Sequence, residues 1–200
     1  MMKDFWNTRY AEETFAYGEE PNDFLRESIG VFKAGAKVLL LAEGQGRNAV
    51  WLARQGLEVV AVDQSDVGMA RAQELAAKHG VALTTIVADL FEWAAEPNTF
   101  DGVVAIFAHL PNPQRARMHQ MAVGALRSGG VAVVEAYTPR QIAFKTGGPQ
   151  TAEMLVEPDD LRAEFAGLTF DRLEELERDV VEGPYHGGRA AVVQMIGRKP

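Results

Sequence analysis

Three polar side chains that could recognise a ligand, Asp63, Asp89 and His109, each follow a short apolar run, and a glycine turn, Ala42-Glu43-Gly44-Gln45-Gly46-Arg47-Asn48-Ala49, follows another. An ionised carboxylate only accepts hydrogen bonds, so Asp63, after Val59-Val60-Ala61-Val62, suits the two hydroxyls of a ribose, and Asp89, after Val87-Ala88, suits an adenine amino group. Glycines at 44 and 46 allow close approach to the backbone, and a helix starting beyond them supplies N–H donors for a negatively charged group. Taken strictly, Gly44-x-Gly46-x-x-Ala49 fits a dinucleotide fingerprint, with Asp63 near the offset of about 20 residues where an acid meets a ribose. The plainer reading is a tight strand-to-helix turn without a ligand, with Asp63 or Asp89 capping the next helix. The glycine pattern alone does not separate the two. Three polar groups at successive strand ends favour a pocket for an adenosine-bearing small molecule, because open α/β sheets bind ligands at that edge.

These residues need a scaffold of alternating strands and helices, and the chain has that grammar. Short β-branched or Leu-rich runs predict strands at Lys37–Ala42, Glu58–Val62, Leu83–Val87, Asp101–Phe107 and Val131–Tyr137. Helices are expected at Arg47–Arg54, at Val67–His79 after Ser65 or Asp66, and at Pro113–Leu126. Each is long enough to cross over between parallel strands. A long loop follows Tyr137, then a helix near Pro158–Phe165 and two strand-like segments, Leu168–Leu176 and Ala190–Arg198, that pair most easily as an antiparallel hairpin. Asp4–Glu13 and Asn22–Phe32 look like helices without strand partners, able to pack as a lid. The expectation is an α/β, doubly wound sheet of about seven strands, mostly parallel with an antiparallel C-terminal hairpin. It forms one domain, with a lid over 1–34, a binding core over 35–138 and substrate-side loops and the hairpin over 139–200.

Composition removes other classes. Two hundred residues without cysteine exclude disulfides, thiolate-bound metals and thiol nucleophiles, and none of His79, His109, His119 and His186 has a second His at helix-site spacing, so no metal is expected. A net charge of −8 argues against nucleic acid. Apolar runs are too short to span a bilayer and the N-terminus is not a secretory signal, which predicts a cytoplasmic protein with no membrane contact. Residues 151–182 hold eleven Asp and Glu against three Arg, so the whole net charge belongs to that stretch.

Val38-Leu39-Leu40-Leu41-Ala42-Glu43-Gly44-Gln45-Gly46-Arg47-Asn48, then Val62-Asp63, Ala88-Asp89-Leu90-Phe91, Phe100-Asp101-Gly102-Val103-Val104 and Leu126-Arg127-Ser128-Gly129-Gly130 resemble the class I S-adenosylmethionine-dependent methyltransferases, a Rossmann-like group. Trp6-x-x-x-Tyr10, Tyr17-Gly18-x-x-Pro21-Asn22 and the Glu-Gly-x-Gly-Arg-Asn turn are similar to the small bacterial tellurite-resistance and thiopurine-methyltransferase-like proteins. The resemblance implies that Ala42, Glu43, Gly44 and Gly46 line the methionine portion of S-adenosyl-L-methionine, with Asn48 beside them. It places Asp63, Gln64 and Ser65 at the ribose, Asp89 and Leu90 at the adenine, and Arg9, Tyr17 and Phe107 over the cofactor. Leu40 departs from the acidic residue common there, Ala42 from the first glycine, and Glu43 from a frequent cysteine. With no acid at position 40, Glu43 or lid residues are left to hold the ammonium group.

Methyl transfer from a sulfonium needs alignment in a dry site more than proton transfer. An alcohol acceptor would need a base, for which His109 is the candidate; ordering the loop through Pro111 and Pro113 is its other reading. Arg140, Lys145, His186 and Arg189 are candidate substrate contacts that together would favour an anion, and each also reads as an ordinary loop residue. Trp6, Tyr10, Tyr17 and Phe107 suit a sulfonium by cation–π contact, or core packing in the case of Trp6 and Phe107. The expected acceptor is a small molecule, a chalcogen oxyanion such as tellurite or selenite, or a thiol-like compound, in a monomer or homodimer. An NAD(P)-dependent oxidoreductase and a non-catalytic nucleoside-binding regulator are the other classes.

Overall fold

A computed structural model describes residues 2–200. Its strands are β1 (Lys37–Leu41), β2 (Glu58–Asp63), β3 (Thr84–Val87), β4 (Phe100–Ile106), β5 (Leu126–Tyr137), β6 (Thr169–Glu182) and β7 (His186–Arg198). Its helices are α1 (Met2–Tyr10), α2 (Asp23–Glu27), α3 (Arg47–Arg54), α4 (Asp66–His79), α5 (Gln114–Ala125), α6 (Gln141–Phe144) and α7 (Pro158–Glu164). The strands form one sheet in the order β3-β2-β1-β4-β5-β7-β6. β1 to β5 are mutually parallel, while β7 runs antiparallel to β5 and β6 antiparallel to β7. Strand order reverses between β1 and β4, which opens a crevice at their carboxyl ends.

The apolar runs are buried on both faces because side chains alternate across the sheet. Leu39, Leu41, Val60, Val62, Val103 and Ala105 face one cluster that includes Met118 and Ala122 of α5 and Leu161 of α7. Val38, Leu40, Val59, Ala61 and Val104 face the other, against Phe24 and Leu25 of α2, Leu52 of α3 and Met69 and Leu75 of α4. Ser65 caps α4 by accepting from the Gly68 N–H, so Asp63 is free of that duty. No helix among the described residues is long and apolar enough to cross a membrane.

The structure differs from expectation mainly at the ends of the chain. α1 stops at Tyr10, and the stretch expected as one helix over 22–32 is α2 followed by a 3-10 turn at Ile29–Val31. The terminal strands are much longer than their apolar cores: β6 runs on through Glu177-Arg178-Asp179-Val180-Val181-Glu182, and β7 starts at His186. So charged a stretch reads as loop in isolation. It is strand here because its inward-facing charges find buried partners.

Those partners form a network behind the glycine turn. Glu135 of β5, fully buried, accepts from Arg178 Nε (2.9 Å) and Nη2 (2.7 Å), Gln194 Nε2 (2.6 Å) and Asn22 Nδ2 (2.6 Å). Glu182 accepts from Arg47 Nη2 at 2.6 Å and from the same Asn22 amide at 2.8 Å. Asn22 also caps α2 through its side-chain oxygen and donates its own N–H to Asn48 Oδ1 at 2.9 Å. Burial, the largest influence on the Glu182 carboxyl, raises its pKa, but His186 and the Arg47 guanidinium outweigh burial and hold it at about 2.

Asn22→Ala strips a donor from two buried carboxylates and removes a helix cap, and should cost about 2–3 kcal/mol in urea unfolding. Because the Glu182 pKa lies below its ordinary 4.5, the stability it carries is complete above that pH and is lost as the pH falls toward 2. The pH slope of the urea midpoint over that window should therefore be shallower in Glu182→Gln than in the wild type.

Candidate active site

The glycine turn joins β1 to α3 through three left-handed residues, Ala42 (φ 53°), Gly44 (φ 62°) and Gly46 (φ 87°). Glycine is required at two of them for contact as well as for conformation. A Cβ on Gly44 would lie 2.5 Å from the Tyr10 hydroxyl, and one on Gly46 would lie 2.5 Å from Ala72 Cβ, where α4 packs against the turn. Ala42 keeps the same backbone at a cost of roughly 1–2 kcal/mol for a side chain in this region. Asp63, at the end of β2, accepts from the Gly44 N–H (2.9 Å) and the Ser65 N–H (2.8 Å) and so holds the turn beside the strand. Burial, against the hydrogen bonds from Ser65 and Gly44, raises its pKa.

The polar side chains of the turn serve the scaffold. Glu43 Oε1 accepts from the Ala49 N–H at 2.7 Å, and burial outweighs that bond and Arg47 to bring its carboxyl up to about 7. Gln45 grips the N-terminal segment at the Tyr10 carbonyl and the Ala16 N–H, Arg47 at the Glu20 carbonyl, and Asn48 at Asn22. Of the residues expected at the cofactor, Glu43, Gly44, Gly46 and Asn48 border neither of the two cavities at the crevice, and Ser65 is buried as the α4 cap.

Two adjoining cavities open at the crevice. The smaller, about 60 Å³, is bounded by Ala42, Asp63, Gln64, Asp89, Leu90 and Phe91 and roofed by Met2, Trp6 and Tyr10. Asp89 Oδ1 accepts from the Phe91 N–H, which shapes the loop after β3. α1 is pinned over this cavity by Asn7, whose side chain bonds Ser65 (2.6 Å) and Asp66 (3.0 Å) at the start of α4, and by a Lys3–Asp66 ion pair. Trp6 and Tyr10 stack with centroids 5.4 Å apart. The larger cavity, about 580 Å³, is walled chiefly by Phe5, Trp6, Phe107, Pro149, Met154 and Tyr185, with Arg9, Tyr17, His109 and His186 as its polar groups. Phe107 and His109 border both.

Phe107 follows β4 with φ 52°, a strained conformation for a bulky side chain of the kind held in place at functional sites. Its ring stacks on Tyr137 (4.4 Å) and His109 (6.0 Å) and meets His186 edge-on (5.0 Å), while His186 lies 4.4 Å from the Tyr17 ring. His109 Nδ1 is 3.1 Å from the Met154 carbonyl. Burial outweighs that bond and pushes the imidazole pKa down to about 3, so the ring is neutral at neutral pH and accepts hydrogen bonds better than it holds protons. Arg9 lies over the Tyr185 ring at 3.9 Å.

The structure thus brings Arg9, Tyr17, Ala42, Asp63, Gln64, Asp89, Leu90, Phe107, His109 and His186 to the crevice. It does not bring Arg140, Lys145 and Arg189 there. Arg140 and Arg189 converge on Glu177 of the acidic β6 strand, and Lys145 ends α6 in a left-handed conformation. Met2, Phe5, Met154 and Tyr185 also wall the cavities, and the sequence does not mark them: Met2 and Phe5 belong to α1, whose packing partner no local pattern names, and Met154 and Tyr185 are single apolar residues between longer elements, without a periodic signal. The buried Glu135 did leave one: a carboxylate inside the otherwise apolar Val131–Tyr137 run demands a buried partner. Among the described residues no group of His, Asp and Glu is arranged to hold a metal.

A methyltransferase-domain family matches residues 38–130. A thiopurine S-methyltransferase of Pseudomonas aeruginosa is 30% identical over 92% of this chain and 89% of its own length, and one of Bordetella pertussis is 28% identical over 91% and 89%. Among solved structures, TehB from Haemophilus influenzae superposes with a TM-score of 0.74 at 18% identity, covering 99% of this chain and 67% of that one. A structure described for the conversion of a disulfide bond into a thioacetal group during echinomycin biosynthesis gives 0.81 at 20% identity, covering 100% and 92%. With strand order, crevice and relatives in agreement, this chain belongs to the class I S-adenosylmethionine-dependent methyltransferases, within the thiopurine S-methyltransferase group.

Proposed function

We propose that this methyltransferase transfers its methyl group to a sulfur atom of a flat, largely apolar small molecule bound in the 580 Å³ cavity. The observation that carries this reading is the wall of that cavity: five aromatic side chains, Phe5, Trp6, Tyr17, Phe107 and Tyr185, and two methionines, with Arg9 as its one charged side chain. Such a lining matches the way small-molecule sites bury flat ligands. The relatives named thiopurine S-methyltransferases point the same way. An oxyanion such as tellurite or selenite would need converging cations, whereas a single guanidinium, Arg9 over the Tyr185 ring, borders the cavity and Arg140 and Arg189 are held by Glu177.

The residues around the smaller cavity fit the cofactor. Asp63 and Asp89 offer acceptors on either side of the apolar Leu90 and Phe91, and Trp6 and Tyr10 offer aromatic faces to a sulfonium. S-adenosylmethionine supplies, when bound, an activated methyl group on that sulfonium. As α1 lies here, the space has room for a few waters only, so Trp6 and Tyr10 must move outward for the ligand to enter; in this reading residues 1–34 act as the lid. Asp63 accepts from the ribose while keeping its bonds to the turn, and Phe107 and His109 fix the boundary between donor and acceptor. The closed lid excludes water, and a soft sulfur nucleophile needs no general base, so alignment supplies most of the rate.

Calorimetric titration should show micromolar binding of S-adenosylmethionine and S-adenosylhomocysteine and none of nicotinamide cofactors. Asp63→Asn, which keeps one acceptor oxygen, should weaken that affinity by about 1–2 kcal/mol. Transfer of a labelled methyl group should be fast to aromatic thiols and slow to tellurite, selenite and phenols. Turnover of the oxyanions with no turnover of any thiol would reverse the assignment.

A further inference from the structure

We propose that His109 determines which acceptors are used: its Nε2 is a fixed hydrogen-bond acceptor that selects molecules carrying an N–H or O–H donor beside the nucleophilic atom. The proposal rests on the reading of the large cavity as the acceptor site. Its basis is a lone pair with no donor. The Met154 carbonyl can only accept, so the Nδ1 atom 3.1 Å from it must carry the ring hydrogen. Nε2 on the opposite edge is then an obligate acceptor, and it is buried with no hydrogen-bond partner among the described residues, in a ring that borders both cavities; a donor reaches it with the same outward movement of α1, whose Met2 and Trp6 border both cavities too, that cofactor entry requires. A buried acceptor left unpaired costs free energy that an incoming donor recovers and a methylated analogue cannot.

The ring has little freedom to escape this role. It stacks on Phe107 and Tyr137, at centroid distances of 6.0 and 5.4 Å. The carbonyl that fixes its tautomer is itself held: the next residue, Leu155, accepts from Arg115 Nη1 at 3.0 Å, and Val156 donates its N–H to the Tyr137 carbonyl at 3.0 Å. Arg115 is held in turn by Glu164, which also binds His119 at 2.7 Å. Arg115, His119 and Glu164 therefore act as positioning residues for the segment behind His109. For a heterocyclic thione the ring N–H would donate to Nε2 while sulfur attacks the methyl carbon. The new S–CH₃ bond forms as the old methyl–sulfur bond breaks with its electron pair on the departing thioether, and the acidified N–H proton is released to solvent.

The test compares pyridine-2-thione with its N-methyl derivative, which lacks the donor, titrated into the full chain saturated with S-adenosylhomocysteine. Wild type should favour the N–H compound by about tenfold or more. His109→Phe, which keeps the aromatic stack, should bring the ratio close to one, and His109→Gln should recover part of it. In the free protein, ring nitrogen NMR should report the Nδ1–H tautomer, with the Nε2 signal moving when pyridine-2-thione is added. Equal affinities in wild type, an unchanged ratio in His109→Phe, or an Nε2–H tautomer would overturn the proposal. Sulfur methylation without the N–H preference would remove the role of His109 and leave the proposed reaction standing. The preference without any sulfur methylation would do the reverse.

Discussion

The pairing of two buried carboxylates, Glu135 and Glu182, with Arg47, Arg178 and the Asn22 amide is the interaction on which the rest of the molecule depends. It joins the N-terminal segment, the first turn of α3, the central strand β5 and both strands of the hairpin at one point. Removing Arg47 or Arg178 would leave a carboxylate short of its cation in a water-poor interior, where such a loss costs far more than a surface ion pair is worth. The network lies directly behind the glycine turn. It ties that turn to the hairpin whose Tyr185 and His186 border the larger cavity.

The same economy governs the turn. Its polar side chains bind other parts of the chain: Glu43 the start of α3, Gln45 and Arg47 the N-terminal segment, Asn48 the residue that bridges the carboxylates. What remains for a ligand is backbone, the Asp63 carboxylate and the aromatic roof of α1. The groups that border the smaller cavity from the strand ends are thus already fixed by structural bonds, the arrangement that preorganised polar sites have in general. α1 is attached over the smaller cavity through Asn7, Lys3 and Gln45 and through the buried Tyr10.

Phe107 and His109 border both cavities and are held in an aromatic cluster with Tyr137 and His186. Phe107 and His109 follow β4, Tyr137 ends β5 and His186 begins the antiparallel β7, so all four meet at the carboxyl edge of the parallel strands, where the crevice of an open α/β sheet lies. The acidity of the chain is spent elsewhere. Glu175 and Glu177 on β6 take up Arg140 and Arg189, two of the cations that a reading of the late loops would place around an anion.

Periodicity and local chemistry determined much of this protein from the sequence alone. The strands at Val38–Leu41, Val59–Val62 and Val131–Tyr137 are legible because burial on both faces writes a continuous apolar run, interrupted in the third by Glu135 alone, and Ser65 and Gly80 mark the ends of α4 by their own hydrogen bonding and backbone freedom. Asp63 and Asp89 could be placed at the crevice because a polar residue that ends an apolar strand stands at the sheet edge. Tertiary structure alone decided which charges are buried and with whom. Glu182 and Arg47 are 135 positions apart, and nothing local distinguishes them from Glu177 and Arg140, which form a surface pair. It also decided the tautomer of His109, set by a carbonyl 45 residues away. Side-chain partners across that much chain are chosen by how the elements pack, and packing is a property of the folded whole that no window of sequence contains.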